Sequence, residues 1–475
     1  MATIKIVDPV TRIEGHMKIE VTIDGGVVTD ARSTGTLFRG FETILNGRHP
    51  WDAPIITERI CGVCPVSHGM AAVLALEAAG GRKATANGRI LRNLVLGADF
   101  LHSHILHFYL LAALDYVPGP ASAPWTPAWK IASRTGLSGL TSKLNTSMLQ
   151  AIEARRRAHE MGAIFGGRMP HPHSSIPGGC TAVPTSGKIA QFKGQLDWLT
   201  NFIKSVYIPD VKQLAGVYSD YQMIGDGYRN LMAYGVFDLS DTNATKLFTS
   251  GLVRAAALNA VEALDTANIK ESVTYSWYDD TTNDLAPTSG STKPVYPKSG
   301  AYSWLKAPRY ENEPFEAGPL ARMWMTGDYR NNISVIDRHL ARAYEAQKIA
   351  VAMQAWLTQL AVGKPVYDPG FTLDMPVNGS GVGLTEAPRG ALGHWVAVKS
   401  GKISSYQVIT PTCWNASPRD AGGVRGPIEE ALIGTPINNE NQPIEVVRVI
   451  HSFDPCLSCA VHIIRPQGKV TVLTA

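Results

Sequence analysis

Hydrophobic positions in this chain first alternate and then switch to helical spacing. Near the N-terminus Ile19, Val21 and Ile23 fall at every second position, and Asp24-Gly25-Gly26 supplies a turn before Val27-Val28. That pattern predicts a β-hairpin over residues 17–31. From Asn87 to Asp115 the period lengthens and apolar residues lie on most sides, as in a core helix. The most apolar stretch, Leu94 to Val117, contains Asp99, His102, His104, His107 and Asp115. A bilayer tolerates few such side chains, so a buried helix is expected and not a direct membrane span. After Ser186, a candidate N-cap, apolar residues from Ile189 to Val206 recur at spacings of three and four until Pro209. Residues 336–362 repeat the helical pattern with Ala-rich faces. Residues 278–300, rich in Asp, Thr, Ser, Pro and Gly, read as a surface loop. Residues 395–398 and 403–409 flank Ser400-Gly401 as a second hairpin. The expected fold is mainly α with small β-sheets near both termini (α+β), built as one large domain, residues 1–475, whose ends meet.

Composition narrows the partners. Hydrophobic residues make up 45% and charged residues 18% of the 475, with a formal net charge of +4. No basic block or stripe with interleaved aromatics occurs, so nucleic acid is not an expected partner. Residues 1–8 show no charged leader followed by an apolar run, so no secretory signal is expected.

The six cysteines are too few for a disulfide scaffold of this size, and four of them form two close pairs near opposite ends: Cys61-Gly-Val-Cys64 and Cys456-Leu-Ser-Cys459. Brought together, four thiolates make a soft metal site. Structural zinc is one occupant, although zinc pairs usually close a short loop. Nickel and iron suit the same ligands. Pro65 and Ala460 stand where haem attachment would need histidine, and neither pair sits in a thioredoxin-like unit. His68, four residues after Cys64 on a helix, can reach a ligand sulfur as a donor, and Asp454 precedes Cys456 by two. Glu14, in Thr11-Arg-Ile-Glu-Gly-His16, and Arg389, in Glu386-Ala-Pro-Arg-Gly390, stand in compact segments. Cys180 and Cys413 are expected to be buried small hydrophobes.

Jointly, the cysteine boxes, Asp8-Pro-Val-Thr-Arg-Ile-Glu-Gly-His16 and Pro411-Thr-Cys-Trp-Asn-Ala-Ser-Pro-Arg-Asp420 resemble the large subunit of nickel–iron hydrogenases, over Val7 to His462. The related quinone-binding subunit of respiratory complex I lacks the four cysteines. The resemblance implies a helical core and a nickel–iron centre held by Cys61, Cys64, Cys456 and Cys459. Cys61 and Cys456 would be terminal on nickel; Cys64 and Cys459 would bridge to an iron carrying carbon monoxide and cyanide. Thr412 and the backbone near Arg389 would hydrogen-bond the cyanides, and Pro388 would stand with them in the cofactor-binding set. The implied reaction is heterolytic cleavage of H2 in the uptake direction. Cys456 would take the proton and pass it to Glu14, while Arg389 positions and polarises H2, because a guanidinium stays protonated. Glu42, His462 and the carbonyl of Val408 match the family's magnesium site.

Two departures are expected to matter. Many relatives carry an aspartate in the helix matching Leu101-His-Ser-His104, and the position is read here as Ser103, which leaves Asp454 as the partner of Arg389. Residues 463–475 look like the extension that a maturation endopeptidase removes once nickel is loaded. No cysteines remain for an iron–sulfur cluster, so an iron–sulfur small subunit is expected, in a higher oligomer of heterodimers. The boxes look most like the cytoplasmic uptake and sensory branches, which implies a cytoplasmic location, with any membrane association through partners. An H2 sensor and a zinc-stabilised structural subunit are the alternative readings.

Overall fold

The computed structural model describes residues 2–122, 126, 128–240 and 245–459, with Cys459 described by its backbone alone. The N-terminal hairpin forms as the alternation predicts. Strands Met17–Asp24 and Val27–Gly35 pair antiparallel and Thr3–Val7 adds a third strand outside them. Met17, Ile19, Val21 and Ile23 are fully buried on one face. Gly25 and Gly26 turn the chain with φ of 58° and 78°, the left-handed pair that a two-residue hairpin needs.

Four long helices make the body: Ala86–Leu106, Leu137–Gly166, Ser186–Phe202 and Val335–Gln359. The apolar helix Ala86–Leu106 is buried nearly throughout, which explains a composition that could also cross a membrane. Two details differ from the sequence reading. Thr185, and not Ser186, caps the third helix, its hydroxyl accepting from the Lys188 N–H at 3.2 Å. Pro209 does not end that helix. The helical backbone runs on through a π-helical turn, Ile203–Tyr207, into helix Ile208–Val217, and the widened turn before Pro209 accommodates its missing N–H. Small sheets also occur mid-chain, built from strands of two to four residues such as Leu231–Ala233 and Gly251–Val253. Runs that short leave no readable alternation.

The C-terminal sheet does most to place the site. Strands Gly379–Ala387, Gly390–Lys399 and Lys402–Ile409 form an antiparallel meander. Helix Pro65–Gly80 lies flush on the first of them. A Cβ on Gly381 would sit 2.0 Å from the Ala75 carbonyl oxygen, and one on Gly383 would sit 1.9 Å from that of Ala71. Glycine at alternate strand positions therefore lets helix and strand backbones touch. The helix begins at Cys64 and the strand ends beside Arg389, so this contact carries two sequence-distant chemical groups to one place. One hydrophobic cluster runs from Val7 to Leu457, so the chain's two ends share a core.

Candidate metal centre

Local structure prepares the first cysteine box. Cys61 ends the short helix Glu58–Ile60 in an extended conformation, and Cys64 caps helix Pro65–Gly80, with Pro65 in its first turn. The chain curls so that the N–H groups of Val63 and Cys64 point at the Cys61 sulfur, at 3.3 and 3.2 Å. Such donors favour a thiolate. The second box arrives from the other end of the chain. The Glu14 carbonyl accepts the Leu457 N–H at 2.6 Å, and Glu14 pairs with Cys456 as an isolated parallel bridge. Gly15 makes this approach possible: with φ of 83°, a Cβ there would lie 2.2 Å from the Ser458 nitrogen. His451 secures the segment before Glu14 by bridging the Thr11 carbonyl and Asp115, and Arg12 also reaches Asp115.

The result is a buried cluster. The sulfurs of Cys61, Cys64 and Cys456 all lie within 4.8 Å of one another, with Cys61 and Cys456 3.3 Å apart. That separation is too long for a disulfide and suits thiolates sharing an ion. The side chain of Cys459, and His462 with the whole 463–475 extension, lie outside the described residues.

Arg389 and Asp454 sit beside the sulfurs, 3.0 Å apart and both about 2% exposed. Burial opposes the guanidinium charge, but Asp454 and the three thiols hold Arg389 protonated, well above its ordinary range. Its Nη2 faces Asp454 Oδ1, and its Nε and Nη1 have no acceptor among the described residues. Thr412 accepts the Cys456 N–H at 2.9 Å through its hydroxyl oxygen, which leaves the hydroxyl hydrogen to donate. The carbonyl of Pro388 accepts from Arg322 at 2.8 Å. His68 is fully buried, and burial lowers its pKa to about 4, so the ring is neutral. Its Nδ1 meets His394 Nε2 at 3.2 Å, and its Nε2 has no partner among the described residues. Burial raises the Glu14 carboxyl, and the charge of Cys61 adds to the shift.

Asp99, noted in the sequence only as part of the most apolar stretch, was missed as a member of the site. Asp99 is fully buried, its Oδ1 lies 3.6 Å from His102 Nε2, and its pKa is well above normal. Burial causes most of that shift, Cys61 adds to it, and Arg389 opposes it. The helix thus keeps a carboxylate close enough to feel Arg389. The signal was present: an aspartate inside the most apolar helix of the chain.

Glu42 lines a separate cavity of about 50 Å³ with Val408, Glu271, Lys306 and Cys413. Its Oε1 accepts the Val408 N–H at 2.9 Å. On an antiparallel edge strand a residue's N–H and C=O point the same way, so the Val408 carbonyl also faces this side. Lys306 Nζ stands 3.7 Å from Glu42 and 3.2 Å from Glu271. Cys180 and Cys413 are buried as expected.

The model of the nickel-dependent hydrogenase family matches residues 39–133 and 141–462, and a HoxL-like model matches residues 3–34. The chain belongs to the nickel-dependent hydrogenase family. Within it, this chain is a catalytic large subunit, an oxidoreductase. It is 42% identical to the periplasmic [NiFeSe] hydrogenase large subunit of Desulfomicrobium baculatum, over 97% of this chain and 95% of that one. It is 33% identical to the uptake hydrogenase large subunit of Rhizobium leguminosarum bv. viciae, over 98% and 96%. The reduced Ni-Fe-Se hydrogenase of D. vulgaris Hildenborough superposes with a TM-score of 0.92 at 40% identity, covering 97% of this chain and 100% of that one. Two of these relatives are named for selenium, whereas all four box positions of this hydrogenase are cysteine. The donor set fits a nickel–iron centre: soft buried sulfurs, a buried cation beside them and a threonine hydroxyl bonded to the Cys456 N–H.

One expected result concerns the joint between the boxes. Gly15→Ala in this hydrogenase should push the Leu457–Ser458 backbone away and cost about 2–4 kcal/mol. A lowered Tm with a reduced nickel content per chain would be the signature; an unchanged Tm would show that the contact is soft.

Proposed function

We propose that this chain oxidises H2 in the uptake direction at a nickel–iron centre whose iron carries carbon monoxide and cyanide, and that Cys61, Cys64, Cys456 and Cys459 hold it. The observation that carries the reading is the buried three-sulfur cluster beside a permanently charged arginine. Bound there, the centre would supply Lewis acidity to polarise H2 and the redox capacity to take its electrons.

The protein's own groups then divide the remaining work. Arg389 cannot act as the proton acceptor, since its neighbours hold it protonated. Its charge instead aligns and polarises whatever occupies the space over the sulfurs. The Cys456 sulfur is the nearest base, and Glu14 follows because the backbone holds residues 14 and 456 side by side. A carboxyl with a raised pKa takes and releases protons more evenly than an ordinary one near neutral pH. Asp454 keeps Arg389 oriented. Thr412, Pro388 and Arg389 border the cyanide side. His68 offers an Nε2 with no other partner among the described residues as a donor toward the ligand sulfurs.

Infrared bands of iron-bound carbon monoxide and cyanide in the assembled enzyme test the centre. Zinc without nickel and iron on elemental analysis would overturn it, and failure to reduce dye under H2 would overturn uptake. Glu14→Gln tests the relay. H/D exchange with solvent should fall by roughly 10²–10⁴-fold with nickel retained. Unchanged exchange would reassign the proton path.

A hydrated magnesium ion at Glu42, the Val408 carbonyl and His462 is consistent with two carboxylates facing one ammonium in that cavity. An iron–sulfur small subunit accepts the electrons, in a higher oligomer of heterodimers. An endopeptidase removes residues 463–475, a segment that lies beyond the family match. Intact mass of the mature subunit, ending at His462, tests this. The location is cytoplasmic; recovery in the periplasm, where the name of one relative places that protein, would overturn it.

A further inference from the structure

Arg389 occupies an exposed kind of position in the chain's topology, although it is buried in space. Ala387 pairs with Gly390 at the end of the hairpin ladder, so Pro388 and Arg389 are its two-residue tip. A hairpin tip normally frays, because only one ladder pair restrains it. Arg389 must nevertheless meet Asp454 at 3.0 Å and keep its other donors over the sulfurs. Something else has to hold the tip.

Arg322, in the short helix Pro319–Met325, is the group in contact with it. Its Nη1 donates to the Ala387 carbonyl at 3.0 Å and its Nη2 to the Pro388 carbonyl at 2.8 Å. The other donors reach Glu386 Oε2 at 2.8 Å, Glu345 Oε2 at 2.8 Å and, through Nε, Glu345 Oε1. Thus all five N–H bonds of a side chain with no solvent exposure are used. The guanidinium plane is itself held. Glu345 takes it bidentately and also contacts His104 Nε2 at 2.9 Å, and the plane lies over Phe100 with 5.2 Å to the ring centre. The segment leading into the helix that carries Arg322 also packs on the tip. A Cβ on Gly390 would sit 2.8 Å from the Gly318 nitrogen, and one on Gly318 would sit 3.4 Å from the Arg389 carbonyl oxygen. The tip is therefore packed closely against Ala317–Gly318 and hydrogen-bonded by Arg322.

We infer that Arg322 is a positioning residue for catalysis: it sets the place of Arg389 over the sulfur cluster by clamping the carbonyls of Ala387 and Pro388. It touches neither sulfurs nor substrate. The inference rests on the proposed nickel–iron centre below Arg389. An error of about 1 Å in a group that orients a reactant is enough to slow a reaction by up to about 100-fold. Lysine at 322 would keep the positive charge between Glu345 and Glu386. Its single nitrogen cannot span two carboxylates and two carbonyls at once.

In the assembled enzyme Arg322→Lys should keep its nickel content, and its kcat for H2 oxidation should fall about 10- to 100-fold with KM little changed. Its cyanide stretching bands should shift. Amide hydrogen exchange in the peptide spanning residues 384–392 should speed up at least about tenfold, with the rest of the chain unaffected. Glu345→Gln, which keeps Arg322 but loosens its plane, should give smaller changes of the same kind and covers the case in which the lysine variant does not accumulate. A merely structural role would lower Tm and metal content while leaving the bands and the exchange of the tip in the surviving enzyme as in wild type. That result would overturn the inference. The exchange measurement does not depend on the metal. If the wild type itself lacks the infrared bands, the centre is wrong; if wild type and both variants show the same bands and the same exchange, Arg322 is wrong.

Discussion

Cys456→Ala should abolish H2 oxidation, lowering activity per chain by at least about a thousandfold, and should leave the chain with little nickel. The physical reason is the small donor set. Three described sulfurs lie within 4.8 Å, and Cys456 is the one joined by backbone both to Glu14 and, through its own N–H, to Thr412. Removing it takes away a soft ligand and the nearest proton acceptor together. Serine at 456 should do little better, because a hydroxyl is a harder, much more weakly acidic donor than a thiol. Folding should change little, since the sulfur makes no structural disulfide. Elemental analysis, Tm and dye reduction under H2 check the three parts separately. A variant with full nickel and more than roughly a tenth of wild-type activity would remove Cys456 from the centre.

Arg389→Met has the second-largest expected effect, and it acts on stability as well as on rate. The substitution leaves Asp454, 2% exposed, without its nearest cation. Stranding one member of a buried pair costs about 3–5 kcal/mol. The pH dependence has a definite sign. Burial already raises the Asp454 carboxyl above its ordinary value, and Arg389 is the main opposing influence. Without Arg389 the folded-state pKa rises further, so the folded chain holds a proton that the unfolded chain has released. The destabilisation is therefore least at pH values below the ordinary carboxylate range and grows as pH rises toward the new folded-state pKa. Adding Asp454→Asn should recover much of the stability and none of the activity. Denaturation midpoints across pH test this. Equal losses at acidic and neutral pH would show that Asp454 is not the stranded charge.

Much of the candidate site was legible because its chemistry is local. The spacing of Cys61 and Cys64 directs two backbone N–H groups at one sulfur within a single turn. Alternation in residues 17–24 specifies a one-sided strand. Each depends on neighbours within a few residues, so the order of side chains is sufficient to determine it. Asp99 was less legible. It is one of several polar residues in an apolar helix, and only the packing of that helix brings its carboxyl within the influence of Cys61 and Arg389.

By itself, then, the sequence determined the ligand types, the proton-carrying candidates and the helical and hairpin segments that present them. The tertiary structure decided which of these meet. Cys64 reaches the Arg389 hairpin because strand glycines 381 and 383 admit helix Pro65–Gly80 to backbone contact. Arg322 belongs to the site because its five donors converge on Glu345, Glu386 and two hairpin carbonyls. Such contacts join residues far apart in the chain, and they depend on how whole elements pack against one another, which no local pattern of side chains encodes.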